Sequence, residues 1–320
     1  MLRSDTVPTV DHVHEAAERL EGVVHRTPVM TCESLDRLVG ARLFFKCENL
    51  QKAGAFKYRG ASNAIRLLTG EERARGVVTH SSGNHGQALA LAAKTLGVTA
   101  RVVMPSNSAE IKLESVKGYG AEVILCENVL EAREGEVAKL REETGAVEIH
   151  PYDDGRIIAG AGTAGLELLE QVDDLDVIAA PVGGGGLLSG ASLAARALRP
   201  GIEVFGAEPE LAADAHESLK TGVRQPPRPP VTVADGLRTA LGALNFPIIQ
   251  AHVADILLAS DEEILVAMRQ IWERAKLVVE PSAAVTLAAI LKHPERVSGK
   301  RVGVVLSGGN VDLDPMFTAK

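Results

Sequence analysis

The chain has 320 residues, of which 46% are hydrophobic and 24% are charged, and its formal net charge is -8 at pH 7. This composition is typical of a globular protein with one large core or two moderate ones. Nucleic acids and anionic membrane surfaces are held mainly by clustered Lys and Arg, so the acidic balance argues against both as main partners and favours a small-molecule site.

The predicted elements alternate along most of the chain. Helical periodicity predicts a first helix near Val10–Leu20, and the apolar run Arg42–Lys46 predicts a strand. From about residue 76, short β-branched runs alternate with longer amphipathic segments, which is the pattern of βαβ units that form a mostly parallel sheet. The predicted strands are 76–79, 100–104, 122–125, 176–181, 203–208 and 301–306. The predicted helices are Gln87–Leu96, Ala109–Gly118, Val129–Glu143, Leu187–Leu198 and Asp261–Lys276, the last with Asp261 as its N-cap.

The cysteines and the N-terminal segment predict a cytoplasmic protein. Cys32, Cys47 and Cys126 form no CxxC pattern, so they indicate neither a disulfide framework nor a zinc site. The N-terminal segment has no basic stretch followed by an apolar run, and no stretch approaches the roughly 20 apolar residues that span a bilayer. We therefore expect neither secretion nor membrane insertion.

The first motif with chemical potential is KAGAFKYRG (52–60), which places Lys57 in a small-residue loop after the strand Arg42–Lys46. A lysine whose pKa is lowered by neighbouring positive charge, here Lys52 and Arg59, and by partial desolvation can act as an amine nucleophile, as Schiff-base chemistry requires. The segment alone also allows a solvated surface lysine.

A second motif, HSSGNHG (80–86), follows a predicted strand and opens a predicted helix. Its backbone N–H groups, with Ser81, Ser82 and Asn84, are suited to bind a carboxylate, although an ordinary helix N-cap would look similar. The third motif, VGGGGLLSG (182–190), has bare amides between a strand and a helix, which suits a phosphate monoester; it fits neither the GxGxxG fingerprint nor a Walker A loop.

The fourth motif, LSGGN (306–310), lies just past a strand, where Ser307 could offer a hydroxyl to a ring nitrogen. Taken alone, the sequence Ser-Gly-Gly-Asn is also typical of an ordinary turn. Together the four motifs describe one cofactor with an amino acid attached, and the set resembles the fold-type II pyridoxal-phosphate enzymes, specifically the serine/threonine dehydratase and serine racemase family. The resemblance covers nearly the whole chain and extends to FFKCENLQKAGAFKYRGA, IIAGAGTAGLELLEQ, GAEPE, ADGLRT and VEPSAA.

The resemblance implies an α/β fold of the tryptophan synthase β-like type, with two three-layer αβα domains and mostly parallel sheets. A large cofactor-binding domain would span residues 1–52 and 150–320, and a small domain at 53–149 would contribute the Lys57 loop and the carboxylate loop. A homodimer is implied by the resemblance only. The chain ends shortly after SGGN, so we expect no C-terminal regulatory domain and no feedback by isoleucine.

The resemblance also implies roles for individual residues. Lys57 would hold pyridoxal phosphate as a Schiff base and move the α-proton, and Ser82 would be the second acid/base that racemases place on the opposite face. Other cofactor contacts would come from Phe56 beside the ring, Asn84 at the ring hydroxyl, Gly236 on the far side, Ser307 at the pyridine nitrogen, and Gly183, Gly184, Gly185, Gly186 and Leu187 around the phosphate. The substrate carboxylate would be held by Ser81, Ser82, Asn84, His85 and Arg133.

A metal site is implied as well. Glu208 and Asp214, with the carbonyl of Ala212, match the divalent-cation site of the racemase-like branch, and oxygen ligands suit Mg²⁺ or Ca²⁺. Spacing alone also allows two solvated acids, with Asp214 in the first turn of a helix.

Ser307 favours β-elimination as the reaction. A neutral hydroxyl does not protonate the pyridine nitrogen as a carboxylate would, so long-lived carbanions are disfavoured and a β-leaving group is lost promptly. The predicted activity is therefore that of an L-threonine/L-serine ammonia-lyase, which gives a 2-keto acid and ammonia. The alternatives are a serine racemase and a 3-hydroxyaspartate dehydratase, the latter because Tyr152 replaces an Asn of one branch and Arg133 could bind a second carboxylate. The intact lysine and phosphate loop argue against a further alternative, a cofactor-binding protein without catalytic activity.

Overall fold

The structure is a computed structural model, which describes residues 2–81, 83–108, 110–229 and 231–313. The helices of this part of the chain are α1 (Val10–Leu20), α2 (Glu33–Val39), α3 (Lys57–Arg66), α4 (Gly70–Arg75), α5 (Asn84–Leu96), α6 (Glu110–Gly118), α7 (Leu130–Thr144), α8 (Gly155–Gln171), α9 (Gly186–Leu198), α10 (Asp214–Thr221), α11 (Asn245–His252), α12 (Asp261–Gln270) and α13 (Pro281–Lys292). The strands are β1 (Val29–Met30), β2 (Arg42–Cys47), β3 (Val77–His80), β4 (Ala100–Pro105), β5 (Glu122–Cys126), β6 (Val147–Glu148), β7 (Val177–Pro181), β8 (Glu203–Pro209), β9 (Asp255–Ala259) and β10 (Arg301–Leu306).

The larger sheet has six strands in the order β1-β2-β10-β7-β8-β9. All neighbours are parallel except β1 and β2. The last strand, β10, lies between β2 and β7, and Val304 is paired with both Phe45 and Ala179. Because parallel strands end at the same edge, the Lys57 loop after β2, the SGGN turn after β10 and the glycine loop after β7 all leave the sheet at one edge.

Helices pack on both faces of this sheet because the side chains of each strand alternate between the two faces. On β2, Leu43 and Phe45 belong to the core shared with α2, α12 and α13, whereas Phe44 belongs to the core shared with α8 and α9. The sheet is therefore the middle of three layers.

The smaller sheet has four parallel strands in the order β5-β4-β3-β6. One face carries the core shared with α3 and α5, and the other packs Val78 and Val103 against α7. The α/β class with mostly parallel sheets is thus confirmed. The larger sheet takes its strands from 29–47 and 177–306 and the smaller from 77–148; the domain boundaries stay a prediction. In the described ranges, no helix combines the length and apolar character that crossing a membrane requires.

The sequence did not predict strands β1, β6 and β9 or several helices, including α8 and α13. Among the elements that it did predict, the main differences concern helix starts. The prediction that Lys57 lies within a loop is wrong, since Lys57 is the first residue of α3. The N-cap of α12 is Ser260, which forms a capping box with Glu263, and not Asp261. Beyond α12 the chain makes a π-helical turn at Ile271–Ala275 before a left-handed residue. The predicted helix start at Ala109 lies outside the described residues.

Candidate active site

Lys57 is a half-buried lysine at the edge where the parallel strands end. Its Nζ donates a hydrogen bond to the carbonyl of Pro151 at 2.8 Å and lies 5.1 Å from the ring centre of Phe56. Desolvation lowers the pKa of Lys57 to about 8, although the charge of Glu280 acts in the opposite direction. A lysine with such a pKa is partly neutral near pH 7 and can attack an aldehyde.

The predicted contribution of neighbouring cations to the pKa of Lys57 is wrong. The guanidinium of Arg59 is engaged by Glu48 and Glu167, and Lys52 Nζ donates to the carbonyl of Val23 at 2.6 Å. Burial is what favours the neutral amine.

The Lys57 loop is joined to the turn after β10 by main-chain hydrogen bonds. Phe56 N donates to Ser307 O at 3.0 Å, and Gly309 N donates to Gly54 O at 2.9 Å. Gly54 has a φ of +70°, and a Cβ there would overlap the side chain of Asn310. The fold thus brings Phe56, Lys57 and Ser307 together, as the sequence predicts; their contacts with a cofactor stay a prediction.

The glycine loop connects β7 to the start of α9. Gly185 has a φ of +93°, which favours glycine, and α9 begins at Gly186. A Cβ on Gly183 would approach Leu237 Cα to 2.9 Å, and one on Gly184 would overlap the ring of Tyr152. The main chain therefore forms a closely packed cradle at a helix N-terminus. The first amides of a helix have no acceptor within the helix, so they fit a phosphate group.

The same close packing brings Gly236 to the glycine loop. A Cβ on Gly183 would lie 3.3 Å from Gly236 O, and Gly236 N donates to Ser282 Oγ at 3.0 Å. Gly236 is therefore placed beside the cradle, and its predicted contact with the cofactor stays a prediction.

The second motif follows β3 at the corresponding edge of the smaller sheet. Ser81 Oγ accepts a hydrogen bond from Gly83 N at 3.2 Å, and Asn84 begins α5. Ser82, predicted as a catalytic and substrate-binding residue, lies outside the described residues. The N-terminus of α5 leaves this loop suited to a carboxylate.

His85 is buried, and burial lowers its pKa well below the usual value, so the ring is neutral. Its Nε2 lies 3.1 Å from the carbonyl of Ile149 and must donate there, because a carbonyl only accepts. Nδ1 is then an acceptor, and it has no partner among the described residues. A residue that binds a carboxylate has to donate a hydrogen bond, whereas Nδ1 in this tautomer accepts one. The predicted contact of His85 with the substrate carboxylate therefore stays a prediction.

Arg133 lies near the start of α7, at the edge where β3 ends. Strands β3 to β6 are parallel, so α7, which connects β5 to β6, begins at their carboxyl edge. One turn after Arg133, Val137 packs against Val78, and Val78 and His80 share one face of β3. The half-buried Arg133 is therefore on the side of the sheet that carries His80, and its charge contributes to the low pKa of that ring.

His80 belongs to a ring cluster that the sequence did not reveal. The ring centres of His80 and His150 are 5.6 Å apart, and those of His150 and Tyr152 are 4.7 Å apart, both edge to face. Burial lowers the pKa of His80 to about 4, and the charges of His150 and Arg133 contribute. His80 Nε2 is buried without a hydrogen-bond partner in the described ranges. Tyr152, which stands where one branch of the family has Asn, joins this cluster to the glycine loop.

The two acids of the predicted metal site are buried close together. Glu208 Oε1 accepts from Ala215 N and Oε2 from His216 N, each at 2.9 Å. Burial raises the pKa of Asp214 to about 7, and burial together with the charge of Asp214 raises the pKa of Glu208 well above its usual value. Asp214 Oδ2 is buried and has no partner in the described part of the chain. An unpartnered oxygen beside a second carboxylate fits a hard divalent cation.

A lysine with a lowered pKa and a glycine-rich helix N-terminus at one edge of the sheet fit a class of protein, the enzymes that use a phosphorylated aldehyde as cofactor. Residues 20–308 match the family described as "Pyridoxal-phosphate dependent enzyme", and the chain belongs to this family.

Three relatives show how similar this chain is to enzymes with different substrates. It is 50% identical to a serine racemase of Dictyostelium discoideum (95% of each chain) and 48% identical to a beta-hydroxyaspartate dehydratase of Paracoccus denitrificans strain Pd 1222 (97% of this chain and 98% of that protein). Among solved structures, a threonine deaminase from T.th. matches with a TM-score of 0.91 at 44% identity, over 95% of this chain and 99% of that one. The reaction specificity must therefore be argued from the site.

Proposed function

We propose that the protein is a pyridoxal-phosphate-dependent ammonia-lyase that removes water and ammonia from β-hydroxy amino acids, with 3-hydroxyaspartate as its best substrate. The products from that substrate are oxaloacetate and ammonia, because the water lost from Cα and Cβ is regained when the released enamine hydrolyses. L-Threonine and L-serine, the substrates favoured by the sequence alone, would be turned over more slowly. A homodimer in the cytosol stays part of the prediction.

In this proposal, the glycine cradle, Ser307 and Lys57 bind the cofactor. The amides of Gly184, Gly185, Gly186 and Leu187 would bind the phosphate, and Ser307 would offer a neutral hydroxyl to the pyridine nitrogen. Bound pyridoxal phosphate supplies the electron sink that stabilises charge left at Cα. Lys57 Nζ would accept the α-proton, and its lowered pKa keeps a neutral amine available for this step.

The observation that carries the substrate choice is that the charge of Arg133 reaches His80 and Tyr152. Arg133 has no carboxylate partner among the described residues. Its charge contributes to the low pKa of His80 and opposes the rise of the pKa of Tyr152, so it is within electrostatic reach of both rings. Ser81, the main-chain N–H of Asn84 and the start of α5 would bind the α-carboxylate, which leaves Arg133 for a second carboxylate on the substrate.

The test is a comparison of substrates with the cofactor-loaded enzyme. Release of 2-keto acid is followed from the L-threo and L-erythro isomers of 3-hydroxyaspartate, from L-serine and from L-threonine. We expect kcat/KM for one 3-hydroxyaspartate isomer to exceed that for L-serine by at least about tenfold, the size of one charge-assisted hydrogen bond. Equal values for the four substrates would contradict the proposed preference.

Racemisation is the second candidate, since it needs an acid/base on the face opposite Lys57, the role predicted for Ser82. D-Serine formed from L-serine is measured in the same reactions. D-Serine formation faster than keto-acid release would move the assignment to a racemase.

We also propose that Glu208, Asp214 and the carbonyl of Ala212 bind Mg²⁺ or Ca²⁺. The cation would relieve the repulsion between the two buried carboxylates, so each metal should raise the melting temperature of the wild-type protein. Asp214→Asn should abolish this increase, whereas an exposed control, Glu262→Gln, should keep it. An unchanged melting temperature of the wild type in Mg²⁺ and in Ca²⁺ would argue against the site.

A further inference from the structure

Glu280 is a buried carboxylic acid near Lys57 that has no role in the mechanism described so far. It is 4% exposed and precedes the first residue of α13. Its main-chain N–H donates to Gly308 O at 3.1 Å. The preceding carbonyls are also held, Val278 O by Asn49 Nδ2 and Val279 O by Trp272 Nε1, each at 3.0 Å. The side chain of Glu280 therefore extends from a fixed backbone.

The Glu280 carboxylate ends a chain of hydrogen bonds through two asparagines. Asn84 Nδ2 donates to Glu280 Oε1 at 2.7 Å, and Asn310 Nδ2 donates to Asn84 Oδ1 at 2.9 Å. Asn310 Nδ2 also donates to Ala53 O at 2.8 Å, so its own orientation is fixed by a carbonyl. The main-chain N–H of Asn310 donates to the Glu280 carboxylate and closes the network.

This network determines which end of the Asn84 amide points where. The Asn84 oxygen has to face Asn310 Nδ2, which only donates, and the Asn84 nitrogen has to face the Glu280 oxygen. One N–H of the Asn84 nitrogen is used by Glu280. The second N–H is what Asn84 can offer to a ligand.

We propose that Glu280 is a positioning residue that orients Asn84 so that it offers an N–H, and not an oxygen, to the ring hydroxyl of bound pyridoxal phosphate. The inference rests on the cofactor role of Asn84 and is independent of which amino acid is the substrate. A ring oxygen that accepts this hydrogen bond is stabilised as the anion, whereas an inverted amide would oppose ionisation.

The charges around Glu280 are compatible with this role over a wide pH range. Burial raises the pKa of Glu280 to about 8; the charge of Asp235 adds to the rise, while the bonds from Asn84 and Asn310 and the charge of Lys112 oppose it. Lys57 is the other charged group that faces it. Lys112 in turn pairs with Asp235. Both the neutral and the ionised carboxyl have an oxygen that can accept from Asn84, so the orientation is kept on either side of pH 8.

The test uses Glu280→Met, which has similar volume and no strong acceptor, and Glu280→Gln, which keeps one acceptor oxygen. The readouts are the pH titration of the visible absorption of the cofactor-loaded enzyme and the Kd for pyridoxal phosphate. We expect Glu280→Met to shift the titration midpoint by about one pH unit and to weaken Kd about tenfold, the typical size of one lost hydrogen bond. Glu280→Gln should stay close to wild type, as should the exposed charge control Glu262→Gln.

A double-mutant cycle separates orientation of Asn84 from a general structural role. In an Asn84→Ala background, Glu280→Met should cause no further shift of the spectral midpoint, because there is no amide left to orient. Additive shifts, or an unchanged midpoint in Glu280→Met alone, would overturn the proposal. If Glu280→Met does not fold, Asn310→Ala is measured instead. Glu280 still accepts from Asn84 Nδ2 in this variant, so the midpoint should stay close to that of the wild type, and a shift in the direction expected for an inverted amide would overturn the proposal.

Discussion

The buried ion cluster behind the Lys57 loop allows a stability prediction whose size follows from burial. Arg59, two residues after Lys57 in α3, has a fully buried side chain and donates two bonds to Glu48, at 2.7 and 2.8 Å, and two to Glu167, at 2.7 and 2.8 Å. Lys46, also fully buried, donates to Glu167 at 2.6 Å. Two cations thus balance two carboxylates, and the side chain of Glu48 is too deeply buried for solvent to replace Arg59.

We expect Arg59→Met to lower the free energy of unfolding by about 3–5 kcal/mol, the usual cost of leaving a buried charge without its partner. Methionine fills much of the space, so a cavity contributes little and the loss reports mainly on Glu48. For the same reason, adding Glu48→Gln should recover part of the loss, because it removes the charge that Arg59→Met leaves unpaired.

Urea unfolding followed by the fluorescence of Trp272, the single tryptophan, measures this change. The matched control is Arg37→Met, which removes another helical arginine paired with a glutamate. Arg37 and Glu33 are 68% and 84% exposed, so no measurable change is expected. A loss below about 1 kcal/mol for Arg59→Met would refute the reasoning, because the cluster would then behave like a surface ion pair.

Three further predictions concern the site. Arg133→Met should lower kcat/KM for 3-hydroxyaspartate by about 10- to 100-fold and leave that for L-serine within a few-fold, measured by steady-state keto-acid release; equal losses on both substrates would exclude a role in reading the second carboxylate. Gly184→Ala should weaken the Kd for pyridoxal phosphate at least about tenfold, because its Cβ would overlap the ring of Tyr152 and displace the cradle; an unchanged Kd from equilibrium titration would contradict this. The rate at which the apoenzyme attaches pyridoxal phosphate should rise with pH to a plateau with a midpoint near 8, since only the neutral amine of Lys57 reacts; a midpoint near the ordinary lysine value in stopped-flow absorbance would refute it.

The fold could be predicted where the pattern is local and repeated. The six strands predicted after residue 76 are all present, with bounds shifted by at most about one residue. Three strands were missed: the two-residue strands β1 and β6, because two residues show no alternation, and the five-residue strand β9. The start of α3 was missed for a related reason: its N-cap is Phe56, which makes no side-chain cap, so the sequence lacks a start signal there.

The candidate site could be predicted only for residues within recognisable motifs. The glycine cradle, Lys57 and Ser307 lie at strand ends, and parallel strands bring such positions together. His80 lies in the segment HSSGNHG and Glu280 in VEPSAA, but neither segment indicates what these two side chains contact. The bond between Asn84 and Glu280 joins residues 196 positions apart, and that between Asn84 and Asn310 joins residues 226 apart. A single sequence gives the spacing of such residues and not their pairing.

Lys57 shows why proximity in the sequence is a poor guide to electrostatics. Lys52 and Arg59 flank it, yet Lys52 is bonded to a main-chain carbonyl and Arg59 to two carboxylates, so neither lowers its pKa. The cause of the low pKa has a measurable consequence. Repulsion between cations would be screened by added salt, whereas desolvation would not. The midpoint of pyridoxal-phosphate attachment should therefore stay near pH 8 from low to high ionic strength; a rise of about one unit in concentrated salt would show that neighbouring cations set the pKa after all.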